Sequence, residues 1–239
     1  MGGVGTIVAD VLFPRDCAAC DAPLPVGHER ALCDACWASL RMPTHALCPR
    51  CGIPTPPASR TCSGCATHPP VFDAACALGL YIADDTRLNP LAVAVRALKY
   101  RGARPVARCL GAELGRRHPA PPGAVVVPVP LHRSRLRERG YNQAALLARA
   151  LARASALPVA VRALARVRPT PPQAGLDAHT RRMNLRSAFA VRQPGAVWDR
   201  EIVLVDDVLT TGATADACAA ALHAAGATRV VLYTVGRTP

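Results

Sequence analysis

Apolar residues along the chain fall into short continuous runs and helical stripes that alternate with one another. Ala74 to Ile82 reads as a strand, and a helical pattern follows from about Leu88 to Tyr100, with Gly102 as its stop. Pro105 to His118 places Val106, Leu110 and Leu114 on one helix face. Ala124 to Val129 is a buried-strand run, and Asn142 to Ala156 is a helix with Leu146, Leu147 and Leu151 turned inward. Ile202, Val203, Leu204 and Val205 form an unbroken apolar run, the pattern of a strand covered on both faces of a parallel sheet. An alanine-rich helix, Ala213 to Ala225, closes at Gly226, and a last strand runs from Arg229 to Val235. Residues 1–16 carry Ile7, Val8, Val11, Leu12 and Phe13 at helical spacing, ended by Pro14. Residues 160–187, rich in proline and arginine, are the least regular stretch, as expected of an exposed connection or a functional loop.

Cysteine spacing adds a second unit. Cys17/Cys20, Cys33/Cys36, Cys48/Cys51 and Cys62/Cys65 are four C-x₂-C pairs, separated by 12, 11 and 10 residues. Each pair presents two thiolates to one ion and two pairs complete a tetrahedron, so eight ligands suit two Zn²⁺ ions. Sequential sites are the simplest pairing, and interleaved sites remain open. Disulfides are the competing reading, against which stand the uniform spacing and a chain expected to be cytoplasmic. Four thiolates leave no open position for water, so the zinc is expected to be structural. A docking role for nucleic acid or protein is the alternative, with Arg41, Arg50, Arg60 and Trp37 nearby. Cys218 reads as a small buried hydrophobe within a helix. Prolines 54, 56, 57, 69 and 70 bracket the last pair and mark a boundary within 66–72. The expected organisation is a helix over 1–16, a double zinc ribbon over 17–68 and a larger domain over 73–239.

Bulk properties narrow the possibilities. No apolar run reaches 18 residues, so no membrane span is expected, and the first 16 residues lack the plan of a signal peptide. A net charge of +13 suits an anionic partner, although arginine, alanine and proline are inflated together and part of the charge is compositional. Against this background the stretch V-D-D-V-L-T-T-G-A-T, 205–214, carries specific chemistry. Asp206 and Asp207 follow the strand; Val208 and Leu209 lead to Thr210, Thr211, Gly212, Ala213 and Thr214 at a helix start. Unpaired amides, threonine hydroxyls and a glycine that admits an anion closely make a phosphate site. Two acids beside such a cradle suit ribose hydroxyls or a ligand-borne Mg²⁺. The stretch resembles the phosphoribosyl-pyrophosphate (PRPP) motif of type I phosphoribosyltransferases. That resemblance implies that the acids hold the ribose 2′ and 3′ hydroxyls and the turn wraps the 5′-phosphate.

Two further features point to anions. Lys99 is the one lysine among 29 basic residues, where a compact ammonium could face a phosphate. His132, Arg133, Arg135, Arg137 and Arg139 cluster just beyond the Ala124 to Val129 strand, the edge at which α/β proteins bind ligands. The segments L-K-Y-R-G (98–102) and P-V-P-L-H-R-S-R-L-R-E-R-G-Y-N-Q (128–143) resemble the ComF family, amidophosphoribosyltransferase-like proteins linked to DNA uptake in natural competence. So do Arg166, Arg168 and Thr170, followed by Gln173, Leu176, Arg181, Asn184 and Phe189. The resemblance implies an α/β fold of the type I phosphoribosyltransferase kind: a parallel sheet flanked by helices, preceded by the zinc ribbons, with 160–187 as a mobile lid. It also implies PRPP with Mg²⁺ as ligand, Lys99 with Arg133 or Arg135 on the pyrophosphate, and single-stranded DNA and competence proteins as partners.

Three functions follow: phosphoribosyl transfer to a nitrogen nucleophile, a DNA-handling factor that senses PRPP, and a zinc-stapled adaptor with a decayed pocket. The intact acids and threonines argue against decay. Thr210 stands where 6-oxopurine phosphoribosyltransferases typically carry an aspartate base, and a hydroxyl cannot serve as that base near pH 7. The sequence therefore names a ligand and leaves the catalytic residue unassigned.

Overall fold

The computed structural model describes residues 15–28, 30–40, 47–56, 59, 61–82, 89–100, 104–168 and 188–239. The expected N-terminal helix falls, except for its last two residues, outside these, as do Arg41, Arg60 and residues 169–187 of the expected lid.

Strands β1 (Ala74–Leu80), β2 (Val125–Pro128), β5 (Glu201–Leu209) and β6 (Arg229–Arg237) form one sheet in the order β1-β6-β5-β2. Every pairing in it is parallel. Helices α3 (Pro90–Tyr100), α4 (Arg104–Arg117) and α6 (Gln143–Ala154) cover one face, and α7 (Ala213–Ala224) the other. Period-two alternation along β5 explains the division. Val203 and Val205 pack with Leu98, Leu110 and Leu147, whereas Ile202 and Leu204 pack with Cys218, Ala219 and Leu222.

α4 lies against α6 at unusually short range because Gly111 and Gly115 are one turn apart. A Cβ at Gly111 would stand 2.4 Å from the Leu147 carbonyl oxygen, and one at Gly115 would stand 3.1 Å from that of Leu151. α3 opens at Pro90 with the buried Asn89 as its cap. The Asn89 Oδ1 accepts from the Leu91 and Ala92 amides at 3.1 and 3.2 Å, and its Nδ2 donates to the Leu80 carbonyl.

Three expectations change. The basic cluster is a helix, α5 (Arg133–Arg139), started by His132, whose Nδ1 accepts from the Ser134 amide, and stopped by Gly140 at φ 75°. The irregular stretch contains β3 (Leu164–Arg166), paired antiparallel with β4 (Phe189–Val191), a ribbon too short for its period to show in sequence. β5 does not end before the acids. It continues to Leu209, paired with β6 at Asp206–Thr234, Val208–Gly236 and Leu209–Arg237.

The cysteine unit is an internal repeat. In each half the first C-x₂-C forms a knuckle: the Asp21 and Gly52 amides donate to the Cys17 and Cys48 carbonyls, at positive φ of 57° and 68°. The second pair begins a one-turn helix, α1 (Asp34–Ala38) or α2 (Ser63–Thr67), with Cys33 or Cys62 as N-cap. The first ribbon inserts Leu24, Leu32 and Leu40 into the core on the α3/α4/α6 face, and full burial of Leu32 alone contributes about 1.5–3 kcal/mol.

Candidate functional site

β5 emerges past β2, whose last pairing is Pro128 with Val205, so Asp206 and Asp207 lie where one flank of the strand is uncovered. Alternation sends the two carboxylates apart. Asp206 lines a cleft of about 290 Å³ with residues 208–215 and Leu232. Asp207 points under the α3/α6 face and is 5% exposed. The cleft is closed by the turn into α7, where Gly212 adopts φ 83° and, among the described residues, no side chain caps the helix. The first amides of α7 and the hydroxyls of Thr210, Thr211 and Thr214 therefore surround a space at the positive end of a 12-residue helix. Asp216 holds the turn from behind: its amide donates to the Gly212 carbonyl and its Oδ1 accepts from the Val71 amide at 2.8 Å. The Phe72 ring backs the turn closely enough that a Cβ added at Gly212 would meet it at 3.5 Å.

Burial and the neighbouring charge of Asp207 lift the Asp206 carboxyl to about 7, although the Asp207 amide, donating to Asp206 Oδ1 at 2.8 Å, and Lys99 both oppose the shift. Asp207 has two partners across the core. Lys99 Nζ lies 3.1 Å from Asp207 Oδ2, and Gln143 Nε2 donates to the same oxygen at 3.2 Å. Burial works against the Lys99 ammonium, but the attraction and hydrogen bond of Asp207, with Asp206 and Tyr81 adding, raise its pKa above the ordinary lysine value. Gln143 Oε1 in turn accepts from Arg139 Nη1 at 2.8 Å. Arg139 lies over the Tyr100 ring, and the Tyr141 hydroxyl donates to the Leu98 carbonyl. Leu98, Lys99 and Tyr100 thus interlock with Arg139, Tyr141 and Gln143, and the two groups meet at Asp207.

Arg133 and Arg135 are exposed on α5. Arg133 lines a separate cavity of about 900 Å³ with His132, Arg162, Arg166 and Arg192, floored by Leu131, Leu164 and Val167. Sequence reasoning missed Gln143, Asp216 and Arg237. Gln143 left a faint signal as a polar residue among the inward positions of an apolar helix; Asp216 and Arg237 left none, because their partners are remote in the chain.

The cysteines gather as Cys17, Cys20, Cys33, Cys36 and as Cys48, Cys51, Cys62, Cys65, with all sulfurs of each set within 4.8 Å of one another. The pairing is sequential. Separations of 3.8 Å (Cys20–Cys33) and 3.6 Å (Cys51–Cys62) match the edge of about 3.8 Å expected for a tetrahedron with Zn–S near 2.3 Å. Burial opposes ionisation, but backbone amides around Cys17 and Cys48 lower these thiols to about 7 and about 6, whereas Cys36, Cys51 and Cys65 are raised by burial and neighbouring thiols and Cys20 is raised by its neighbouring thiols against a backbone amide. The donor sets fit two structural zinc ions. The Trp37 ring already has two cationic neighbours, with Arg30 and Arg117 lying over it at 5.2 and 5.4 Å from its centroid.

These features define an α/β protein with a parallel sheet flanked by helices, a threonine-lined turn into an uncapped helix start between β5 and α7, and two Cys₄ ribbons before it. The double zinc ribbon domain model matches residues 8–66. DNA utilization protein YhgH of Escherichia coli O157:H7 is 33% identical, over 94% of this chain and 98% of its own length. Competence protein F of Haemophilus influenzae is 29% identical over the same shares. The chain belongs to the family of these proteins, the ComF family. Among solved structures, the glutamine PRPP amidotransferase of B. subtilis, complexed with ADP and GMP, aligns with a TM-score of 0.39 at 20% identity over 62% of this chain. The chain spans 27% of that enzyme's length. Among the described residues, no helix is long and apolar enough to cross a membrane.

Proposed function

We propose that the chain binds PRPP or a related phosphoribosyl ligand, with Mg²⁺, at residues 206–214, and that it acts in DNA uptake. The observation that carries the reading is the cleft itself: an acid at one side, three threonines, and an uncapped helix start behind a left-handed glycine. The turn from Thr210 to Thr214 takes the 5′-phosphate, and Asp206 takes a ribose hydroxyl. Asp207 stands on the second hydroxyl in the resembled motif. Here, bonded to Lys99 and Gln143, it serves the site by holding the strand end and its charge balance. The pyrophosphate falls to Arg133 or Arg135, and Lys99 joins it on exchanging Asp207 for a phosphate oxygen. Mg²⁺ would offset the charge of the pyrophosphate. Thr210 supplies a hydrogen bond and no general base, so transfer requires a nitrogen nucleophile that is already neutral. The names of the YhgH and competence protein F relatives support a role in handling incoming DNA.

Calorimetric titration of Mg·PRPP into the wild type and into Asp206→Ala/Asp207→Ala tests this: binding should be measurable in the first and lost in the second. A wild type without affinity for PRPP sinks the proposal. A second reading, a single-stranded-DNA-handling factor that uses the pocket as a sensor, is favoured by the exposed Arg133, Arg135 and Arg137 on α5. Pyrophosphate release with candidate amines separates the two: release identifies a transferase, and binding without release a sensor.

A further inference from the structure

We propose that Arg237 is a positioning residue for the phosphate-binding turn, and that it links the turn to the second zinc ribbon, so that the ribbon's metal state sets the affinity of the cleft for a phosphoryl group. The inference rests on the phosphoribosyl reading of the cleft.

Arg237 ends β6, beside Leu209 at the end of β5. Its guanidinium reaches in two directions. Nε donates to the carbonyl of Cys51, a sulfur ligand of the second site, at 3.0 Å. Nη1 donates to the Leu209 and Thr210 carbonyls at 3.1 and 2.8 Å and to the carbonyl of Thr238, whose amide also donates to the Leu209 carbonyl at 3.0 Å. A trans peptide sets the carbonyl of one residue opposite the amide of the next. Arg237 shares the Leu209 carbonyl with the Thr238 amide and holds the Thr210 carbonyl by its own side chain, so it turns the Thr211 amide above all the other way, on a residue that lines the cleft.

Among the described residues no side chain caps the helix start that follows the turn. The knuckle end of the strut is equally constrained. Gly52 follows Cys51 at φ 68°, and a Cβ there would approach the Ala75 carbonyl oxygen to 3.2 Å, so the knuckle sits against β1. With zinc bound, the Cys51 carbonyl has one place. Without it, the four thiols no longer define the knuckle, and Nε loses its acceptor. Because the guanidinium is planar and rigid, a shift at Nε is carried to Nη1 rather than absorbed. The coupling is reciprocal: a phosphoryl ligand that holds the turn must also hold the ribbon.

The experiment uses the full chain, ribose 5-phosphate as probe, calorimetry for affinity and metal analysis for zinc. Arg237→Leu should retain two zinc ions per chain yet bind the probe at least about tenfold more weakly, with Arg237→Lys recovering part of the loss. Cys65→Ser, retaining one zinc, should weaken binding to a similar degree, and the combined variant should be no weaker than either alone. As a second measurement that needs no cysteine variant, ribose 5-phosphate should protect one of the two zinc ions from a chelator in the wild type and not in Arg237→Leu. Unchanged affinity in Arg237→Leu, losses that multiply in the combined variant, or protection that persists without Arg237 would overturn this inference alone. A wild type that does not bind ribose 5-phosphate overturns the phosphoribosyl reading together with it.

Discussion

Lys99→Met keeps the length and the aliphatic stem of the side chain and removes the ammonium, leaving the Asp207 carboxylate buried with Gln143. At 3.1 Å and an effective dielectric near 20, the direct attraction is about 5 kcal/mol. Part of this is offset by the cost of desolvating the two groups, whose side chains are 25% and 7% exposed. Removing one partner leaves the carboxylate's share of that cost unmet. Breaking a buried pair typically destabilises by about 3–5 kcal/mol, and the residual exposure of Lys99 together with the Gln143 hydrogen bond places this one near about 2–3 kcal/mol. Urea unfolding at pH 7 reads the loss as a midpoint roughly 1 M lower. Lys99→Met/Asp207→Asn, neutral on both sides and still bonded to Gln143, should recover most of it, giving a coupling above about 1.5 kcal/mol. A single variant within about 0.5 kcal/mol of wild type, or additive effects in the double, would refute the assignment of Lys99 to Asp207. The same variants sort the ligand roles. A lysine that also holds pyrophosphate weakens PRPP more than ribose 5-phosphate on mutation, whereas one that acts through Asp207 weakens both equally.

Two further outcomes are expected. Because burial and Asp207 raise the Asp206 carboxyl to about 7, its contribution to stability is full below the ordinary carboxylate value of about 4 and is lost as pH rises through about 7. Ligand binding runs the other way: Mg·PRPP affinity measured by calorimetry should rise between about pH 6 and 8 as Asp206 ionises, and Asp206→Asn should flatten the profile. A flat wild-type profile contradicts this. Gly111→Ala places a methyl 2.4 Å from the Leu147 carbonyl oxygen and 2.8 Å from Ala150 Cβ, and should cost about 2–3 kcal/mol in thermal or urea unfolding. Gly195→Ala, with nothing within 4 Å, is the control and should stay within about 0.5 kcal/mol; equal effects at the two sites would refute the close-approach argument.

Legibility followed the range of the interactions. The strand, acids, threonines and helix start of 202–225 are contiguous, so residue order is enough to outline the cleft. The eight cysteines are legible as ligands for the same reason, and the sequential pairing follows from knuckle and helix lying next to one another in each ribbon. Lys99 reads in sequence as a cation facing a phosphate, but its partner in the structure is Asp207, far along the chain on another element. The basic cluster lies beyond β2, where chain order puts it, yet its helical form depends on His132 and Gly140 acting as caps, which the density of arginines conceals. The β3–β4 ribbon escapes because three-residue strands carry no usable period.

Sequence by itself determined the chemical inventory: two tetrathiolate sites, an α/β alternation of elements, and an acid-and-threonine turn feeding a helix. Tertiary structure decided how that inventory is deployed. Adjacent residues on a strand face opposite ways, so whether Asp206 or Asp207 met the cleft depended on which helices covered which face of β5. Lys99, Gln143 and Arg237 acquired their roles by reaching across the core from other elements. Such contacts depend on the packing of the whole sheet, and no local pattern encodes them.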